Sequence, residues 1–164
     1  MLGHRLLEIY HIGSTSVPGL AAKPIIDMMP VVKDISTVGE CNHGMEGLGY
    51  IVKGEYGIPG RRFFYRNAEN NSCNVHVFQG GDLNVERHLA FRNYLQAFPR
   101  IAEEYGQIKK RLAAEFTWDI ESYINGKDRF IRETEKKAVA WYRENGAENA
   151  GKQPRSKDEL SNTE

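Results

Sequence analysis

The sequence of 164 residues contains only two cysteines, carries no formal net charge and has no long apolar run. Cys41 and Cys73 stand far apart and match no metal-binding spacing, so reduced, buried thiols are expected rather than a disulfide. The 22 basic residues balance the 22 acidic residues, which argues against bulk attraction to nucleic acid or membranes. No segment reaches the roughly 20 apolar residues of a membrane span, and no signal peptide is visible. We therefore expect a cytoplasmic protein.

A polar, glycine-rich segment between two apolar runs is the most informative stretch that the sequence does have. Leu7, Ile9 and Ile12 predict a first short strand, and residues 24–32 predict a second that is buried on both faces. The segment between them is rich in glycine and in serine and threonine hydroxyls. Glycine allows a sharp turn or a close approach to a ligand. Hydroxyls and backbone N–H groups in such a turn can hold phosphate oxygens.

Asp27 places a carboxylate in the otherwise apolar second strand. Burying an unpaired charge is costly, so Asp27 is expected to have a partner. A metal ion, a basic side chain and several hydrogen-bond donors all remain open as that partner.

The rest of the chain predicts an α+β domain. Asp34 is a plausible N-cap of a helix that continues to Leu48, although three glycines weaken it. Further strands are predicted at residues 49–54, 62–66 and 73–78, the last two as an antiparallel hairpin. From residue 82 the apolar spacing is helical, with one helix around residues 89–95, one from Pro99 to Phe116 and one over residues 128–144. We expect a small mixed sheet of about five strands.

The predicted domain covers residues 1–146, with the sheet in residues 6–79 and the helical part in residues 82–145. The polar segment 147–164 is expected to be a disordered tail.

The segment HIGSTSVPGLAAKPIIDMMPVV, residues 11–32, resembles the signature of the GrpB family. The similarity continues at residues 54–62, 74–77, 88–94 and 127–131, and spans residues 5–142. The resemblance implies a nucleotidyltransferase-like fold, and this family occurs fused to dephospho-CoA kinase in some bacteria. It also implies an additional N-terminal helical segment before the first strand, whose absence here would expose apolar surface and favour a dimer.

In nucleotidyltransferase-like folds a Gly-Ser pair contacts nucleotide phosphates, and an acidic pair on the next strand binds two divalent cations. The resemblance therefore implies phosphate contacts at Gly13 and Ser14, and catalytic roles for Ser14 and Asp27. Met29 stands where the second acid is expected, and a thioether does not bind Mg²⁺ or Mn²⁺ as a carboxylate does. Glu55 and His76 are candidates to complete the metal site around Asp27. A solvated loop glutamate and a merely hydrogen-bonded histidine are the plain alternatives.

Several polar side chains extend this candidate site. Arginine and lysine can neutralise a di- or triphosphate, and the candidate substrate-binding residues are Gly13, Ser14, Thr15, Lys23, Arg62, His11 and His76. Arg61 and Arg62 could instead lie on a surface hairpin. The helical residues His88, Arg92 and 109–111 are expected on solvated faces unless helices cap the cleft.

Two functional hypotheses follow. The first is a metal-dependent nucleotidyl or phosphoryl transferase with an incomplete acidic site. The second is a degenerate member of the fold that binds a nucleotide or CoA-like molecule without turnover. The missing second acid favours the second hypothesis, whereas the retained Asp27 keeps the first one open.

Overall fold

The computed structural model of the protein describes residues 1–69 and 72–145. The strands within these residues are β1 (Leu6–Ile12), β2 (Ile25–Val32), β3 (Ile51–Val52), β4 (Arg62–Arg66) and β5 (Ser72–Gln79). The α-helices are α1 (Asn42–Gly47), α2 (Leu83–Ala97), α3 (Pro99–Glu115) and α4 (Ile120–Asn145). The predicted tail at residues 147–164 lies outside the described residues.

The strands form one mixed sheet in the order β1-β2-β5-β4-β3. Strand β2 runs parallel to β5, and the other neighbouring pairs are antiparallel. The predicted α+β class and the hairpin of β4 with β5 are thereby confirmed.

The sheet has two faces with different covers. Asp27 lies beside Asn74 and Phe63 lies beside His76, so these side chains share one face. Helices α2 and α4 pack over this face, here called the helix-covered face, where Met29 and Leu89 belong to one buried cluster. Helix α3 packs on the β1–β2 loop, where Val17 and Tyr105 belong to another cluster. The other face, here called the reverse face, contacts a 3₁₀ helix at Ile35–Cys41 and helix α1.

Strand β2 is less buried than predicted at its start. Met29 and Val32 are fully buried, but Ile26 is 43% exposed on the reverse face. The prediction of burial on both faces is therefore wrong for the first half of this strand. That half lies beside the cavity described below.

The bounds of several elements differ from the predictions. The third strand is only Ile51–Val52. After the predicted N-cap at Asp34, which accepts a hydrogen bond from Ser36 N at 2.9 Å, a 3₁₀ helix and then the short α1 replace one continuous helix. Glycine lowers helix stability, and three glycines fall in this segment.

Helix α4 begins at Ile120, earlier than predicted, and continues through Gly126. A Cβ atom at Gly126 would lie 2.5 Å from Leu112 Cδ2. This glycine therefore permits close packing of α4 on α3 instead of ending the helix.

Both cysteines are free and buried, as predicted. Among the described helices none is long and apolar enough to cross a membrane.

Candidate functional site

A cavity of about 550 Å³ lies where the β1–β2 loop meets strand β5 and helices α3 and α4. Its polar lining comprises Ser14, Thr15, Lys23, Asp27, Asn74, Lys109, Lys110, Tyr123 and Lys127. The first four were predicted as site residues, and the other five were not. The serine-bearing turn and the strand carboxylate therefore open onto the same space.

Gly13 allows the turn to pass close to Asp27. Its φ of +71° lies in the left-handed region, which side-chain-bearing residues rarely adopt. A Cβ atom here would lie 2.5 Å from Asp27 Oδ2 and 3.0 Å from Asp27 Cβ and Cγ. Both the backbone conformation and the available space thus require glycine at this position.

Asp27 is held by two side chains of β5. Asn74 Nδ2 donates to Asp27 Oδ1 at 2.8 Å, and His76 Nε2 lies 3.3 Å from the same oxygen. Both interactions use Oδ1, while Oδ2 faces Gly13. The burial of this carboxylate is therefore offset by hydrogen-bond donors.

Arg61 supports this arrangement from behind His76. Arg61 Nη1 lies 3.2 Å from His76 Nδ1. Because a guanidinium group only donates, Nδ1 must accept, and the ring proton of neutral His76 then lies on Nε2, directed at Asp27. Arg61 is itself 5% exposed, and burial together with the charge of Arg87 lowers its pKa.

The structure brings Arg61, rather than the predicted Arg62, to the site. Arg61 also donates to Glu55 O at 3.1 Å and to Tyr56 O at 2.6 Å. Arg62 pairs with Val77 in the sheet register and therefore points to the reverse face. Side-chain alternation limited the site to one of the two arginines, but it did not identify which.

Gly13 and His76 contact Asp27 without lining the cavity, and Glu55 and His11 also lie outside its lining. Glu55 Oε1 accepts from Gly60 N at 2.8 Å and so closes its own loop. His11 lies beside Met28 in the sheet register, on the face opposite to Asp27. It reaches the site region only through Thr15, whose Oγ1 is 2.9 Å from His11 Nε2.

Lys109 is buried against the loop, which makes the prediction of a solvated face for residues 109–111 wrong at this position. It is 7% exposed, and its Nζ donates to Ser14 Oγ at 2.8 Å and also to Ala21 O. Since lysine only donates, Ser14 Oγ accepts here and keeps its own O–H for another acceptor. The pKa of Lys109 falls to about 8 because of burial and the nearby charge of Lys127.

Helix α2 holds the end of β1 and the start of the same loop. Arg92 Nη1 donates to His11 O at 2.9 Å, and Gln96 Nε2 donates to Ser16 O at 2.8 Å. His88 is also enclosed, and burial is the main cause that lowers its pKa to about 4. Side chains of α2 and α3 thus contact the end of β1 and the β1–β2 loop, so these helices do cap the cleft. The apolar spacing of the helices alone could not predict this arrangement.

The cavity is rich in positive charge. Among the described residues that line it, four are lysines and Asp27 is the one carboxylate. Burial first, and then the charge of Lys23, lowers the pKa of Lys127, whereas Asp27 raises it. The Tyr123 ring lies 4.5 Å from Lys127 Nζ and 5.8 Å from Lys23 Nζ.

These residues do not fit the divalent cation that the resemblance implies. No cluster of three or more histidine, cysteine or acidic side chains that could hold a metal occurs within residues 1–69 and 72–145. Met29, at the position of the expected second acid, is fully buried. Mg²⁺ prefers several hard oxygen ligands, whereas this lining offers one carboxylate among ammonium groups.

Fold and cavity together define an α+β protein with a lysine-lined pocket at one end of strands β2 and β5 in a mixed sheet. The chain belongs to the GrpB protein family, whose model matches residues 1–137. A crystal structure of the conserved protein GrpB from Enterococcus faecalis superposes with a TM-score of 0.81 at 43% identity, covering 86% of this chain and 85% of that one.

Two curated relatives are longer than the region they share with this chain. The UPF0157 protein YqkA of Bacillus subtilis (strain 168) is 45% identical over 86% of this chain and 41% of its own length. A protein named dephospho-CoA kinase from Mycolicibacterium paratuberculosis is 24% identical over 85% of this chain and 40% of its own length. The chain therefore spans about two fifths of each of these relatives, which is consistent with a fusion in the second.

Proposed function

We propose that this protein binds a phosphate-bearing small molecule, a nucleotide or a CoA-like compound, in the lysine-lined cavity. The observation that carries the proposal is the convergence of Ser14 and four lysines on one cavity of about 550 Å³. Small-molecule sites commonly have volumes of roughly 300–1,000 Å³.

The hydroxyl of Ser14 is arranged to serve an anion. Lys109 donates to its oxygen, so the serine proton remains available for a phosphate oxygen. Lys23 and Lys127 line the same cavity and supply charge, which strengthens hydrogen bonds to a phosphate.

The remaining wall suits the part of such a ligand that carries no phosphate. Ile120, Tyr123 and Ile124 of α4 line the cavity together with Ile25. Apolar and aromatic surface of this kind accommodates a nucleobase or the apolar arm of a CoA-like molecule. The relative named dephospho-CoA kinase places CoA precursors among the compounds to test.

The second candidate is a metal-dependent nucleotidyl or phosphoryl transferase. One observation favours it: both interactions of Asp27 with β5 use Oδ1, so that Oδ2 faces the serine-bearing turn. The four lysines of the cavity lining favour the first candidate, in which a ligand binds without a metal ion. The two candidates differ in whether the ligand needs a metal ion.

Thermal unfolding with ATP, ADP, AMP, CoA and dephospho-CoA tests the binding proposal. A bound ligand should raise Tm in a concentration-dependent manner. The rise should be largely lost in Lys127→Met and retained in Arg62→Met, because Arg62 points to the reverse face. If none of these compounds raises Tm, the proposed function is wrong.

A further inference from the structure

We infer that the cavity takes the metal-free form of a polyphosphate chain, so that Mg²⁺ weakens binding instead of supporting it. This inference rests on the proposed function and specifies its ligand class. It requires that the lysines of the cavity, rather than a metal ion, neutralise the phosphates.

The charge of the cavity lining favours a ligand with more than one phosphate. Lys23, Lys109, Lys110 and Lys127 face one carboxylate, Asp27. A terminal phosphate carries about −1.5 to −2 charges near neutral pH, so one phosphate would leave this lining partly uncompensated. A chain of two or more phosphates matches it better, which favours a polyphosphate over a monophosphate.

The lysines also repel one another when no anion lies between them. The charge of Lys127 contributes to the lowered pKa of Lys109, and that of Lys23 contributes to the lowered pKa of Lys127. A polyanion among these groups would relieve the repulsion. A magnesium-bound polyphosphate carries less negative charge and would relieve less of it.

A magnesium ion would also find few ligands here. Asp27 already receives hydrogen bonds from Asn74 and His76 on Oδ1. The ion would have to displace solvent for a single carboxylate while standing near several ammonium groups, and Mg²⁺ loses its water reluctantly. The cavity therefore discriminates against the metal complex by charge and by coordination.

Removing the negative charge of Asp27 should increase the affinity for a metal-free polyphosphate. The carboxylate lies beside the proposed phosphate position and repels a polyanion. The side-chain amide introduced by Asp27→Asn keeps an oxygen to accept from Asn74 and His76, and its NH2 group takes the place of Oδ2 beside Gly13. Removing this charge should tighten binding of a metal-free polyphosphate by about threefold or more. A metal-dependent site would instead lose binding in this variant.

Isothermal titration calorimetry with inorganic tripolyphosphate, ATP, ADP, AMP, CoA and dephospho-CoA tests the inference. Each titration is run in EDTA and in excess Mg²⁺, with NaCl adjusted to equal ionic strength because salt screens charges by itself. We expect tighter binding in EDTA and a Kd raised by about tenfold or more in Mg²⁺, since the metal lowers the concentration of the free anion.

The outcomes separate the inference from the proposed function. Binding that appears only in Mg²⁺, or that disappears in Asp27→Asn with a folded circular-dichroism spectrum, would overturn the inference and leave a phosphate ligand in place. Tight binding of AMP but not of ADP or tripolyphosphate would overturn the polyphosphate class alone. No binding of any of these compounds in either buffer would overturn the proposed function itself.

Discussion

The two faces of the sheet are built from alternate residues of the same strands, yet they carry different kinds of side chain. On the reverse face, Val75, Val77 and Phe64 form a buried apolar cluster. On the helix-covered face, the intervening positions of β5 carry Asn74 and His76, which hold Asp27.

On the helix-covered face, polar side chains occupy positions that could carry apolar ones. Buried apolar side chains stabilise a fold by about 1.5–3 kcal/mol each, whereas hydrogen-bonded polar groups in similar positions contribute less. A polar network with a buried arginine behind it, 5% exposed at Arg61, is therefore hard to explain by stability alone. The network ends at Asp27, which lines the lysine-lined cavity, and the proposed ligand binding would account for it.

The cavities on the two faces differ in the same way. The cavity on the reverse face has about 340 Å³ and is lined by apolar side chains such as Met28, Pro30 and Phe64. The lysine-lined cavity of about 550 Å³ contains Asp27 and four lysines. If the difference is functional, substitutions on the reverse face should change stability alone, and those near the lysines should change ligand binding.

The largest effect is expected for Phe64→Ala on the reverse face. Phe64 is 2% exposed, and its truncation leaves a void that should lower the free energy of unfolding by about 3–5 kcal/mol. Urea denaturation measures this loss. Ile9→Ala, at a position that is 54% exposed, should cost less than about 1 kcal/mol. Nucleotide affinity of the folded fraction should change in neither variant, and a large change would mean that the two faces are coupled.

The second largest loss of stability is expected at Gly13 in the β1–β2 loop. Comparison with Gly19 separates the cost of backbone strain from that of steric crowding. Gly13 and Gly19 have φ values of +71° and +76°, but only at Gly13 does the added Cβ meet Asp27, since nothing lies within 4 Å at Gly19. Gly19→Ala should cost about 1 kcal/mol from backbone strain. Gly13→Ala should cost about 3 kcal/mol, because Asp27 must also shift from Asn74 and His76.

Urea denaturation of the two alanine variants gives this difference directly. Equal losses of unfolding free energy would show that Asp27 adjusts without cost and that Gly13 serves the backbone alone. Ligand titration of the folded variants adds a second measurement, in which only Gly13→Ala should weaken binding.

Much of the sheet could be predicted from local sequence, because alternation and turn residues act over a few positions. The serine-bearing turn, Asp27 and the hairpin of β4 with β5 were all identified in this way, and the first two do share a cavity. Local patterns also gave His76 the correct face of β5, since its neighbours Val75 and Val77 are buried.

The parts of the site that come from the helical half could not be predicted. Lys109 is 95 residues from Ser14 in sequence but 2.8 Å from it in space, and no periodic pattern reports such a contact. A lysine within a basic run has the same sequence signal whether it faces solvent or a loop. Asn74 was missed because its role depends on the parallel pairing of β5 with β2.

The third prediction concerns two adjacent arginines that point to opposite faces. Arg61→Met removes donors to Glu55 O, Tyr56 O and His76 and should cost about 2 kcal/mol of unfolding free energy. Arg62→Met should cost about 1 kcal/mol or less, because Arg62 makes one hydrogen bond to Arg61 O at 3.0 Å and a partly exposed pair with Glu55 at 3.9 Å.

Nitrogen NMR of the His76 ring provides the specific readout for Arg61. The protein should show Nδ1 unprotonated and Nε2 protonated, and Arg61→Met should yield a mixture of tautomers. Arg61→Lys should restore part of the preference. An unchanged His76 spectrum in Arg61→Met would show that Asp27 alone sets the tautomer.

The smallest effect is expected from the pH dependence of stability at two adjacent lysines. Burial and Lys127 lower the pKa of Lys109 from its usual 10.5 to about 8, while Lys110 is exposed. Below pH 8 the folded and unfolded states both carry the Lys109 proton, and the cost of burying it is fully present. As pH rises toward 10, the folded state loses this proton before the unfolded state does, so stability increases.

The free energy of unfolding should therefore rise by on the order of 1 kcal/mol between pH 8 and pH 10 through Lys109, because the open cavity screens part of the burial cost. Urea denaturation at several pH values should show a steeper rise in the wild type and in Lys110→Met than in Lys109→Met, where the lowered pKa of Lys127 and the raised pKa of Cys73 still contribute with opposite signs. The series stops at pH 10 because burial raises the pKa of Tyr105 to about 12, and this tyrosine acts with the opposite sign above that range. A parallel pH profile in all three proteins would mean that the Lys109 ammonium is stabilised in place by Ser14 and Ala21 and pays no net cost for its burial.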